Sequence, residues 1–156
     1  MRRLLLIAFG FCLLMTSLTA QNSSVDIFYN KYKTDEQSPT VEQEKWLCKL
    51  APGISSNAEA RKWINDPSKV KIIVLDEGTV EKADLESLRK NVKSEGLDAM
   101  IQVRDKEEHF DVFAQADQGL ITNVLYLIDD KDEFVFLNLS GGWKLSEILG
   151  KCNWAE

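Results

Sequence analysis

After Gly96 the hydrophobic repeat of this chain changes period, and that change limits the folds open to it. Before it, Leu85, Leu88 and Val92 recur at spacings of three and four, the mark of a helix with one apolar face, while Glu81, Lys82, Glu86, Arg89 and Lys90 cover the other. Beyond it the period is two. Leu97, Ala99, Ile101 and Val103 point one way and Asp98, Gln102 and Arg104 the other, with Met100 out of step. The segment 108–116 continues the alternation with Phe110, Val112, Ala114 and Ala116 directed inward. Asp105–Lys106–Glu107 joins the two runs as a hairpin connection. Gly119 opens a third run, 120–128, and Asp129 to Asp132 turns the chain into a fourth, 134–139. These last two runs are apolar on both faces, so both faces need cover. Val70 to Leu75, short, apolar and β-branched, reads as a further strand buried on both sides. Ser140–Gly141–Gly142 is expected to end the sheet, and Trp143 to Leu149 to close the domain as a short helix stopped by Gly150.

The front of the chain reads as helical. Val25 to Tyr32 carries Ile27, Phe28 and Tyr32, and polar residues up to Pro39 follow as a loop. Thr40 with Gln43 fits a capping box, in which side chains satisfy the free amides of a first turn. The helix behind it carries Trp46, Leu47 and Leu50. Ser56 with Glu59 repeats the pattern ahead of Ala60, Trp63 and Ile64. The fold expected is α+β: a mixed, mostly antiparallel sheet of about five strands, with helices packed on one face. The strand–helix–strand piece is expected to set Val70–Leu75 parallel to Leu97–Arg104 through a right-handed crossover.

Residues 1–20 read as a secretory signal peptide. Arg2 and Arg3 precede an apolar run from Leu4 to Met15, and small or polar residues lead to a cut after Ala20. The run is shorter than the about 20 apolar residues a membrane helix needs, so no stable anchor is expected after cleavage. Cys12 lies inside the run behind Phe11 and does not fit a lipid-anchor signal. Residues 21–156 are then one domain, exported to the periplasm or the extracellular space. Removing two arginines from the 19 basic residues leaves 17 against 25 acidic ones, a net charge of −8. Such a surface repels phosphate backbones, which argues against nucleic acid as partner. Cys48 and Cys152 remain and form the candidate disulfide of an oxidising compartment. Their loop of about 100 residues sets a ceiling of about 4.7 kcal/mol on its chain-entropy gain. They form no CxxC, so neither a redox motif nor a zinc knuckle is suggested.

With these elements in view the chain resembles a known family. The helix and strand "SLRKNVKSEGLDAMIQVRD", followed by "HFDVFAQADQGLITNVLYLIDDKDEFVFLNLSGG", is similar to a domain-of-unknown-function (DUF) family of small exported bacterial proteins common in Bacteroidetes. The resemblance covers about Phe28 to Gly150 and is strongest from Gly96 to Gly142, where Gly141 or Gly142 matches the glycine that closes the family's sheet. The polar stretch Lys33 to Val41 departs from members that carry a strand before the front helix. The resemblance implies an envelope protein of a Gram-negative bacterium. It lends no catalytic position, because the family has no established activity.

Reactive chemistry is sparsely signalled. His109 is the only histidine and alternates to the same face as Asp111 and Phe113. Without a second histidine or well-spaced thiols no transition-metal site, cofactor or catalytic residue is assigned. Ser140 in "NLSGGW" is not a GxSxG nucleophile, although its glycines could present amides to an anion at a helix start. Asp129 to Glu133 lacks the glycine and the bidentate glutamate of a calcium loop and reads as a solvated turn. His109, Phe113 and Trp154 are the candidate interaction surface. The expected function is a non-enzymatic exported domain that binds an envelope protein or a small ligand. The alternatives are an envelope hydrolase using carboxylates and a structural or assembly subunit.

Overall fold

The computed structural model describes residues 22–34, 41–50, 68–106 and 108–144. In chain order these form α1 (Ser24–Tyr32), α2 (Val41–Leu50), β1 (Val70–Asp76), α3 (Lys82–Ser94), β2 (Asp98–Arg104), β3 (His109–Asp117), β4 (Leu120–Asp129) and β5 (Glu133–Trp143). The fold is α+β around a five-stranded sheet of order β1-β5-β4-β3-β2. The helix expected from Ser56, the closing helix beyond Lys144 and the leader all lie outside the described residues.

Every strand pair is antiparallel, so the sheet is not mixed. β1 and β2 do run in the same direction, but they occupy opposite edges rather than pairing. The reason lies in β5. Phe134 and Phe136 face one side of it and Val135, Leu137 and Leu139 the other, all buried, so β5 needs an interior place. Pairing with apolar β1 gives it one. β2 carries Asp98, Gln102 and Arg104 and is the strand that tolerates an edge.

The helices divide between the two faces, correcting the expectation of a single helical layer. α1 and α3 press Val25, Phe28, Leu85, Leu88 and Val92 onto Ile73, Phe113, Leu125, Leu127, Phe134 and Phe136. α2 covers the opposite face, with Trp46 and Leu47 against residues that include Val70, Ile72, Val135 and Leu137. Strands apolar on both faces require this, because each uncovered face would leave large side chains in water. Phe28 seats α1, with ring centroids 5.4 Å from Phe136 and 6.0 Å from Phe134.

α1 is fastened to α3 at both ends. The Ser24 amide donates to Glu95 just beyond α3 at 3.0 and 3.2 Å, and the Ser24 hydroxyl donates to it at 3.0 Å. At the other end, Lys31 and the Tyr32 hydroxyl both donate to Asp84 in the first turn of α3. The Tyr32 oxygen also accepts from the Glu81 amide at 3.2 Å, satisfying a free donor at a helix start. α3 ends as its sequence predicts, at Gly96, whose φ of +94° favours glycine. Gln118 and Gly119, with φ of 50° and 81°, form the tight link between β3 and β4.

β5 does not stop at the glycines. It continues through Ser140, Gly141 and Gly142 to Trp143. The register shifts between Ile121, opposite Trp143, and Asn123, opposite Ser140, so the glycines lie in a bulge. A Cβ on Gly141 would sit 2.4 Å from the Trp143 ring, which explains glycine there. Ser140, Gly141 and Gly142 are strand residues, so they are not the turn at a helix start from which the anion site was read.

Candidate functional site

Edge strand β2 is exposed at all seven positions. Met100 is 58% exposed, Ile101 48% and Val103 49%, three of the five large hydrophobic side chains that stand open among the described residues. The expected alternation fails here for a local reason. Ala99 pairs with Phe113 and Ile101 with Val112, so Met100 is an extra residue in a bulge. Cross-strand partners share a face, so the bulge moves Ala99 to the α3 face while Ile101 and Val103 lie on the α2 face.

Beyond its backbone ladder with β3, β2 is anchored by polar side chains. Asp111 of β3 is wholly buried. Its Oδ2 accepts from Arg89 Nε of α3 at 2.7 Å, and its Oδ1 from Arg104 Nη2 of β2 at 2.6 Å and Gln102 Nε2 at 3.1 Å. Burial alone would raise the Asp111 carboxyl, but the hydrogen bonds from Arg104 and Arg89 outweigh it and hold the group below its usual range. Arg89 Nη2 is buried with no hydrogen-bond partner. One carboxylate thus joins β2, β3 and α3. The sequence reading passed over it as a polar residue beside His109. The available signal was Phe113, two residues on: a face that buries Phe113 buries Asp111 too.

Two large clefts lie at opposite ends of α3. Near its start a cavity of about 490 Å³ is lined by charged groups, among them Glu77, Lys82, Lys106, His109, Asp130 and Lys131. Near its end, beside the start of α1, a cavity of about 610 Å³ is lined mainly by amide and hydroxyl side chains, including Asn22, Ser23, Asn91, Gln115 and Asn123, together with Glu95. An amide chain backs this second cleft: buried Asn138 donates to Asn123 Oδ1 at 2.6 Å and to the Val124 carbonyl at 3.1 Å.

His109 is half-buried at the mouth of the charged cleft. Phe113 is not on the surface: it is fully buried beneath α3, because the front helices cover that face. Trp154 lies outside the described residues. Cys48 is an exposed free thiol on α2, and Cys152, its candidate partner, lies outside the described residues. The acidic turn is a capped hairpin link, in which Asp130 Oδ1 accepts from the amides of Asp132 at 2.8 Å and Glu133 at 2.9 Å. Those backbone bonds hold the Asp130 carboxyl below its ordinary value. Among the described residues no group of three His, Cys, Asp or Glu is placed to hold a metal ion, and no helix is long and apolar enough to cross a membrane.

These features define a small α+β domain with one covered and one open sheet edge. The chain belongs to the DUF4252 family, a domain of unknown function, whose family model matches residues 29–149. Comparison with curated proteins and with solved structures gives no match.

Proposed function

We propose that this domain is exported through its leader and works by binding a protein partner, which adds a strand to the open edge of β2. The observation that carries this reading is the exposure of Met100, Ile101 and Val103 on a strand that, among the described residues, has a neighbour on one side only. An open edge offers unpaired amides and carbonyls to an extended chain, and flanking apolar side chains add area. The buried Asp111 pairs fix the strand in a ready conformation, which lowers the ordering cost of binding. A carboxylate hydrolase is less well supported. Asp84, Asp111 and Asp130 are all shifted toward the ionised form, whereas a general acid needs the opposite shift.

The test uses the purified protein as bait on an extract of the producing cell's envelope, beside an Ile101→Lys/Val103→Lys variant. A partner retained by the parent and lost by the variant supports the reading; equal retention by both sinks it. N-terminal sequencing of the product is expected to begin at Gln21, and a product that keeps residues 1–20 overturns export with cleavage.

The polar cleft at the end of α3, with Glu95 as its one carboxylate, favours a second reading, binding of a small neutral ligand rich in hydroxyl or amide groups. In a chain with 28% charged residues a cleft lined chiefly by asparagine, glutamine and serine suits such a ligand. A panel of neutral saccharides should raise the melting temperature of the parent and not of Gln115→Ala. No shift with any member removes this reading.

A further inference from the structure

We infer that the strand accepted by β2 is β2 of a second copy, paired antiparallel about a two-fold axis at Gln102. The inference rests on the proposed binding role of this edge and names its occupant. It follows from the side-chain order along β2, Asp98-Ala99-Met100-Ile101-Gln102-Val103-Arg104. A two-fold pairing centred on Gln102 sets Ile101 opposite Val103 of the other copy, twice, with both residues on the α2 face. The pair meets beside Val112 and the partly buried Phe110, extending an apolar strip across the junction. Shifting the centre to Ile101 would set Val103 opposite Ala99, which the bulge at Met100 has turned to the other face. The bulge therefore disfavours that alternative.

Charge agrees with this geometry. In this register Asp98 of each copy stands opposite Lys106 of the other, while Arg104, paired with Asp111, stands opposite Met100 and Asp105 opposite Ala99. Parallel pairing would set like ends together. The self-complementarity is that of an isologous interface, in which one patch serves both partners. Both sheets then become one continuous sheet, and the open edge is closed in each copy.

The experiment measures mass by sedimentation velocity across protein concentration, for the full chain and for Ile101→Lys/Val103→Lys. The parent is expected to reach twice the monomer mass, and the variant to remain a folded monomer by circular dichroism. Register is read by oxidation of single-cysteine variants in a Cys48→Ser/Cys152→Ser background. Gln102→Cys, which faces itself at the axis, should cross-link at least about tenfold more than Asp98→Cys, which is far from its own copy. A parent that stays monomeric, a dimer that survives the lysine substitutions, or equal cross-linking at both positions overturns the inference. A monomeric parent that still retains an envelope partner lost by the lysine variant defeats the self-pairing alone and leaves the binding role standing. A parent that neither dimerises nor retains such a partner defeats both.

Discussion

β1 and β2 are both edge strands of one sheet, yet they are protected by different means. β1 is apolar at five of its seven positions and lies between helices: α1 and α2 both pack against it. Lys71 pairs with Asp26 of α1 at 3.2 Å, and Gln43 of α2 donates to the Ile72 carbonyl at 3.3 Å. β2 packs with β3 and α3, is exposed throughout, and is held by ion pairs to one buried carboxylate. The difference teaches that an edge can be retired by packing or kept in waiting by polar anchoring. Packing removes apolar surface from water, a large and nonspecific gain; anchoring fixes position while leaving the surface free to meet another strand.

The largest expected effect breaks the covered edge. Ile73→Ala should destabilise the domain by about 2–5 kcal/mol in urea titration, since Ile73 is buried among α1, α3 and the sheet. The matching change at the open edge, Ile101→Ala, should stay within about 0.5 kcal/mol. Equal costs at the two positions would erase the contrast. Next comes the anchor. Asp111→Asn should cost about 2 kcal/mol, because both arginines lose their counter-charge. The sign of the pH effect follows from a folded pKa below the unfolded one. The Asp111 contribution is complete above the usual carboxylate pKa of about 3.9 and is lost as pH falls through the lower folded value. Acid titration of parent and Asp111→Asn should therefore begin to converge below about pH 4 and meet only below the folded pKa of Asp111. Gly141→Ala should cost about 1–2 kcal/mol by displacing the Trp143 ring, measured by thermal melting. Trp46→Phe, which removes the 2.9 Å indole bond to Glu133, should cost about 1 kcal/mol in the same assay.

Much of the covered region was legible because its signals are local. The stripe of Leu85, Leu88 and Val92 lies within α3 and needs no knowledge of the sheet, and Gly96 ends the helix for a backbone reason. The double-sided apolar character of β4 and β5 foretold cover on both faces, although the expected single helical layer did not follow it through. Strand order was not legible, because which strand joins β5 depends on what every other strand must bury. The open edge was hidden by the bulge. Met100 broke the alternation, and a residue out of step is also what a chance substitution looks like. Phe113 was misplaced for a related reason: it alternates with Val112 and Ala114, and only cover on the second face makes it core. Asp111 was missed because its partners lie on other elements, Arg89 being 22 positions away on a helix.

The place of β1 beside β5 also bears on the order in which the chain can assemble. β2 through β5 form successive hairpins joined by short links, and such neighbours in sequence find each other quickly. β1 is synthesised before all of them, yet its only partner in the sheet is the last to appear: Val70 waits for Leu139. Until then the segment Val-Lys-Ile-Ile-Val-Leu stands unsatisfied, a run with high β-propensity and a single charge. A ribosome or a chaperone handling this chain must shield that run for the whole time it takes to make the hairpins.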